Sequence, residues 1–241
     1  WDSLSRRWRQ RKALHAISLL IFDELHLLGG EHGPTLEVVI SRMRYIGSER
    51  TEQPIRIVGL GASIANAREV GEWMGVSEKS LFNFSPKIRP TPLEIYFQSF
   101  DQSNFASRLM AMSKPVYNAV ARHGGNKPVM VFVPSRKQAQ LTAIDLMTYE
   151  SQQDSSFLGN IEDQVAFSES CKSIRDGSLQ QVVMAGIGFL YEGMRQSDLV
   201  TVMDLYEKGC IRALVCPSEV AWKVTVRAYL VVIMGTEYYD G

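Results

Sequence analysis

The chain has 241 residues, 45% hydrophobic and 22% charged, a balance that supports buried cores and excludes an intrinsically disordered chain. Its 26 Lys and Arg offset its 26 Asp and Glu, so the global basic footprint of a nucleic-acid-coating protein is missing and any such contact must be local. Cys171, Cys210 and Cys216 lack the close pairs of a zinc site or a disulfide framework, no apolar run reaches the roughly 18 residues of a membrane span, and no signal peptide is present. These features point to a reducing compartment, cytosol or nucleus, and away from the membrane. The chain starts at Trp1 without Met and reads as a piece of something larger.

The opening residues predict a helix. Trp1, Leu4 and Trp8 fall at helical spacing and are expected to face the core, leaving Arg6, Arg7, Arg9, Arg11 and Lys12 outward. That basic run is the best local candidate for contact with phosphates; a solvated helix face or a protein-docking surface accounts for it equally well. Residues 16–22 form an apolar run that ends at acidic Asp23, and residues 55–60 form a second. Runs at 129–133, 213–216 and 229–234 complete the set, and such continuous runs suit strands of a parallel sheet buried on both faces.

Helical stripes lie between the runs. Leu36, Val39, Ile40, Met43 and Ile46 share one face behind Pro34 in a first turn. Ala67, Val70 and Trp73 or Met74 form another, stopped by Gly75. Ser135 caps a helix that runs to about Tyr149, and Leu199, Val202, Met203 and Tyr206 form a stripe stopped by Gly209. The stretch around Met110 and Met112 reads as helix packing, and 150–163 as a polar surface loop. Strand–helix alternation of this kind predicts an α/β protein. The proline-rich segment 84–92 reads as a linker, and Leu93-Glu94-Ile95-Tyr96-Phe97 alternates like a strand, so two α/β lobes are expected, 1–92 and 93–241.

The chemistry concentrates in Asp23-Glu24-Leu25-His26, directly after the first buried strand. Open α/β sheets bind ligands at the carboxyl ends of their strands. There Asp23 can hold a magnesium ion through water, Glu24 can orient or deprotonate an attacking water, and His26 can couple a nucleotide site to the neighbouring lobe. A polar strand end that only caps the next segment is the plainer alternative. Gly59-Leu60-Gly61-Ala62-Ser63-Ile64 also follows a strand, but Ile64 stands where a dinucleotide fingerprint needs its third glycine. The box lacks HExxH spacing for zinc, and Ser63 and Ser135 lack a nearby His for nucleophilic work. His15, His32 and His123 are scattered, and Cys171 and Cys210 read as semi-buried thiols without an activating partner.

With these motifs in place, the chain resembles the Ski-like branch of superfamily 2 RNA helicases. It is similar in particular to the C-terminal helicase cassette of the large spliceosomal, Brr-type helicases. Residues 1–12, Gly29-Gly30-Glu31-His32-Gly33-Pro34, Ile40-Ser41-Arg42-Met43-Arg44, Phe82-Asn83-Phe84, Val133-Pro134-Ser135-Arg136-Lys137-Gln138 and residues 235–241 carry the likeness. A cassette of the activating signal cointegrator helicase is similar too, but fits the opening arginine segment less well.

The resemblance implies two RecA-like lobes with mainly parallel sheets, both truncated, ATP and magnesium bound between the lobes of the intact cassette, and RNA and spliceosomal proteins as partners in the nucleus. It assigns Asp23, Glu24 and His26 to catalysis, with Asp23 toward the metal, and Gly61-Ala62-Ser63 to coupling between lobes. It places Ser135, Arg136 and Lys137 at the nucleic-acid backbone.

The departures from the family pattern are as informative. The chain contains no GxxxxGK[ST] phosphate loop and no closing Gln-x-x-Gly-Arg motif, so it is not expected to turn over ATP by itself. Gly61-Ala62-Ser63 keeps one of the two usual hydroxyls. Active relatives carry His-His-Ala-Gly where Leu190-Tyr191-Glu192-Gly193 stands here. Their fifth motif, Ala-Thr-x-x-x-Ala-Trp-Gly-Val-Asn-x-Pro, corresponds to Cys216-Pro217-Ser218-Glu219-Val220-Ala221-Trp222-Lys223-Val224-Thr225-Val226-Arg227. Pro217 removes a backbone donor where a Thr hydroxyl is expected, Lys223 puts a long cation where glycine allowed close approach, and Arg227 replaces a proline that shapes the turn. The expectation is a degenerate cassette for regulation and protein docking. The alternative is an active ATP-dependent helicase whose sequence has drifted.

Overall fold

A computed structural model describes residues 1–50, 53–152 and 156–236, and the chain divides into two compact units, Trp1–Tyr96 and Phe97–Gly241. Both are α/β with parallel sheets. Among the described residues no helix is long and apolar enough to cross a membrane.

In the first unit, β1 (Leu19–Phe22) and β2 (Arg56–Gly59) pair in parallel, with Leu19 opposite Arg56 and Phe22 opposite Gly59. Parallel neighbours need a crossover, supplied here by helix α3 (Gly33–Ser48), which carries Pro34 in its first turn as expected. Its Val39, Ile40, Met43 and Ile46 pack on Leu20 and Phe22 of β1 and on Met74 of α4 (Ala67–Met74), which ends at Gly75. Only one face of β1 is covered. Leu19 and Ile21 are exposed, so expected burial on both faces does not hold for this strand. Leu20 and Phe22 are buried between exposed neighbours, the period-2 alternation of a sheet covered on one side.

The opening segment departs further from expectation. It breaks into α1 (Asp2–Arg6), a 3-10 turn (Trp8–Gln10) and α2 (Lys12–His15), so no continuous helical stripe forms. Trp1 and Leu4 are exposed, Trp8 is half-buried, and the residue taken inside is Ser5. Arg42 of α3 explains this reversal. Its Nη1 donates to the Asp2 carboxylate at 2.9 Å, to the Asp2 carbonyl at 3.2 Å and to Ser5 Oγ at 2.8 Å. A polar anchor rather than a tryptophan stripe docks the segment.

The second unit is a four-stranded parallel sheet in the order β4 (Ile187–Phe189), β5 (Ala213–Pro217), β3 (Val129–Val133), β6 (Leu230–Ile233). The central strands β3 and β5 are buried almost throughout, as continuous apolar runs predict. The edge strand β6 alternates and leaves Val231 and Ile233 exposed. Around the sheet lie α5 (Phe105–Ala119), α6 (Arg136–Glu150), α7 (Gln164–Ser173), α8 (Gly177–Met184) and α9 (Gln196–Glu207). Helix α6 packs on β5 and β4, α8 and α9 pack on β4, and Leu146, Leu179 and Val202 are fully buried. Helix α9 stops before Gly209, as its stripe predicts.

Three expectations need correction here. Leu93–Phe97 forms no strand, and Leu93, Ile95 and Phe97 are exposed, because alternation alone makes no strand without a neighbouring edge to pair with. Met110 is exposed while Met112 packs on the core. The stretch 150–163 is not simply a surface loop: Glu150 ends α6, Phe157 is buried edge-on against Tyr117, and Leu158 bridges Ile211. Residues 153–155 of that stretch, and 237–241 of the closing Gly235–Gly241 segment, lie outside the described residues.

Candidate functional site: the acidic box and the strand-end cluster

In the first unit the parallel register brings the ends of β1 and β2 side by side, so the acidic box and the Gly59–Ser63 segment share one sheet end. Two backbone bonds weld them: Leu60 N–H donates to the Phe22 carbonyl at 2.8 Å and Leu25 N–H to the Leu60 carbonyl at 2.9 Å. Leu25 is buried and pins the box from below, while Asp23, Glu24 and His26 are exposed. Asp23 Oδ1 accepts the Glu24 N–H at 2.8 Å. Glu24 adopts φ +59°, the one left-handed non-glycine residue among those described. Such a conformation costs about 1–2 kcal/mol, and strained residues of this kind gather at functional sites.

His26 ties the box to the next motif. Its Nδ1 accepts the Ala62 N–H at 3.2 Å, and its Nε2 lies 3.1 Å from Glu24 Oε2. Because Nδ1 accepts, the neutral ring carries its proton on Nε2 and donates it to Glu24. The histidine thus orients the carboxylate and reads the position of Gly61-Ala62-Ser63 through one backbone bond. The second carboxylate oxygen of Glu24 stays available to a water molecule. No group of three or more potential metal ligands occurs among the described residues. Asp23, with one oxygen engaged and one open, suits a hydrated magnesium ion, which keeps most of its waters and takes one or two carboxylates.

The predicted basic residues of this unit are scattered in role. Arg6 pairs with Asp2 at 2.6 Å, Arg9 lies over the Trp8 ring at 5.3 Å, and Arg7 is exposed. Arg6 and Arg42 together hold the Asp2 carboxyl below the usual carboxylate range, Arg42 contributing most.

In the second unit three loops meet at the carboxyl end of the sheet. The turn after β3 carries Ser135, which caps α6 by accepting the Gln138 N–H at 3.3 Å, followed by exposed Arg136 and Lys137. The turn after β4 carries Leu190–Gly193, and that after β5 carries Pro217–Lys223. Registers of Val133 with Pro217 and Phe189 with Val215 make these turns neighbours. The Arg136 guanidinium sits 3.8 Å from the Tyr191 ring centroid, and Lys223 Nζ lies 2.9 Å from Glu192 Oε1. Leu190, Met194, Leu199, Met203 and Val220 line a pocket of about 140 Å³ beneath them.

The fifth-motif turn is anchored by buried Val220, whereas Ser218, Lys223 and Thr225 are exposed and Trp222 is 96% exposed. Pro217 is the last residue of β5, where its missing N–H interrupts no further strand. Tyr191 and Glu192 were not among the residues singled out for a site role from sequence. Their place just beyond the Gly186-Ile187-Gly188 turn was the available signal.

An Asp-Glu-Leu-His box at the end of a strand in a parallel α/β unit, joined to a Gly-Ala-Ser segment and followed by a second parallel α/β unit, fits a partial RecA-like helicase domain. No family model matches the chain. Over its whole length it is 50% identical to the DExH-box ATP-dependent RNA helicase DExH12 of Arabidopsis thaliana and 46% identical to the U5 small nuclear ribonucleoprotein 200 kDa helicase of Homo sapiens. It is 40% identical to the activating signal cointegrator 1 complex subunit 3 of Gallus gallus. The chain spans 11% of the length of each. It belongs to the Ski-like superfamily 2 helicases.

Proposed function

We propose that this chain is part of a degenerate helicase cassette of the spliceosome, with residues 1–92 and 93–241 belonging to its two RecA-like lobes, and that it serves regulation and protein docking rather than RNA unwinding. The observation that carries this reading is the fifth-motif turn. In place of a glycine that permits close approach, Lys223 stands tethered to Glu192, beside a Trp222 that projects into water. The name of the human U5 relative supports a nuclear, spliceosomal setting with RNA and spliceosomal proteins as partners.

The acidic box retains the groups that would act beside a bound nucleotide. Asp23 would hold magnesium through water, and that ion would offset charge on the nucleotide phosphates. Glu24, oriented by His26, positions a water at the strand end. Movement of the Ala62 backbone reaches Glu24 through the His26 ring. Arg136 and Lys137, with Arg6, Arg7 and Arg9, supply local positive charge for RNA phosphates on a chain of zero net charge, and Ser135 adds a hydroxyl donor beside them.

The test is ATP hydrolysis by the protein carrying this chain within its flanking sequence. Little turnover, with no stimulation by RNA, is the expected result. Robust RNA-stimulated turnover that disappears in E24Q would instead establish the second reading, an active ATP-dependent RNA helicase. The intact hydrogen-bonded arrangement of Asp23, Glu24 and His26 is what favours that alternative.

A further inference from the structure

We propose that the second unit carries a latch that withholds two of its own cations from nucleic acid: Lys223 held by Glu192, and Arg136 held by Tyr191. The inference rests on the reading that this sheet end meets RNA. Glu192 and Lys223 are 31 residues apart and lie on different turns, yet their charged atoms meet at 2.9 Å. Both are departures from the pattern of active relatives, which carry alanine and glycine at these positions. Neither alanine nor glycine can make the pair, so the two departures create it together. The Tyr191 ring, where active relatives carry histidine, receives the Arg136 guanidinium at 3.8 Å, well inside the range for a cation over an aromatic face. Tyr191 is itself steadied by its hydroxyl, which donates to Asp176 Oδ2 at 3.4 Å.

The latch joins the turns after β3, β4 and β5. It costs the unit two phosphate-binding charges and hinders the fifth-motif turn from moving independently of the loop after β4. Both partners of the ion pair are largely exposed, 62% for Lys223 and 67% for Glu192. Exposed pairs are weak, so the latch is a bias that a competing phosphate chain can overcome.

The experiment is binding of the full 241-residue chain to an unstructured single-stranded RNA oligonucleotide across a salt series. E192Q keeps the shape of the side chain on an exposed surface and frees Lys223. It is expected to tighten binding roughly two- to fivefold. It should also steepen the slope of log affinity against log salt by about 0.7, the value of one added phosphate contact on a single strand. Y191L frees Arg136 and is expected to add a similar increment, and K223M placed in the E192Q background should return the slope to its starting value. E219Q removes an equal charge from the same turn and is expected to leave the slope unchanged. If E192Q leaves affinity and slope unaltered while K137A weakens binding, the latch is refuted and the RNA reading stands. If E219Q acts like E192Q, general electrostatics replaces the latch. If the chain and all its variants fail to bind RNA, both readings fall.

Discussion

Gly186 and Gly193 form a natural experiment, because both adopt left-handed backbone, at φ +85° and +82°, in opposite surroundings. A Cβ on Gly186 would lie 2.1 Å from the Phe157 carbonyl carbon and 2.3 Å from the Leu158 nitrogen, whereas one on Gly193 would meet nothing within 4 Å. The atoms crowding Gly186 are backbone, and they are tied down. Arg212 N–H donates to the Phe157 carbonyl at 3.1 Å, and Gly159 N–H to the Cys210 carbonyl at 2.9 Å. Replacing Gly193 by alanine therefore incurs only the left-handed penalty, about 1–2 kcal/mol. Replacing Gly186 incurs that penalty and breaks or stretches about two backbone hydrogen bonds, at about 1 kcal/mol each. The expected losses are about 1–2 kcal/mol for G193A and about 3–4 kcal/mol for G186A. Amides of β3 and β5, at the centre of the second unit, report its global opening by hydrogen exchange. If the two variants lower that opening free energy equally, the steric account of Gly186 is wrong.

Further expectations concern the first unit and the thiols. H26A should speed exchange of the Ala62 amide while changing stability by no more than about 1 kcal/mol, since the amide is exposed and water replaces the ring. Asp2 has a depressed folded pKa, so its link to Arg42 stabilises the opening segment above the usual carboxylate range. That contribution is lost as pH falls through the depressed value. R42M should move the Asp2 titration, followed by carboxyl NMR, upward toward an ordinary carboxylate and remove most of this acid-sensitive stability. Burial pushes the Cys216 thiol up to about 12, and also raises those of Cys171 and Cys210, which are less removed from solvent. Alkylation near pH 8 should therefore reach half-buried Cys210 first, and Cys216 only on unfolding of the second unit; early modification of Cys216 would contradict its placement.

Much of the fold was legible because its signals are local. The runs at 129–133 and 213–216 became central strands, since continuous apolar residues tolerate burial on both sides. The stripes of α3, α4 and α9 and the Ser135 cap of α6 declared themselves by period and by terminal residues. Other elements were concealed for identifiable reasons. β4 is three residues long, follows Gly186 and contains Gly188, too short to show a period. α5 contains Pro115, which ordinarily argues against a helix interior. α7 and α8 went unassigned although Asp163 and Asp176 stand at their starts, where each carboxylate accepts two N–H groups of the first turn.

The amino-acid order alone determined that Asp23 and Glu24 leave the end of a strand, because chain neighbours and apolar continuity are enough to place them. It could not determine that His26 bonds the Ala62 amide, that Arg42 draws Ser5 inside in place of Trp1, or that Lys223 meets Glu192. Those outcomes belong to the tertiary structure. They depend on which strand lies beside which, and a side chain finds its partner through distance in space, a quantity that separation along the chain does not encode.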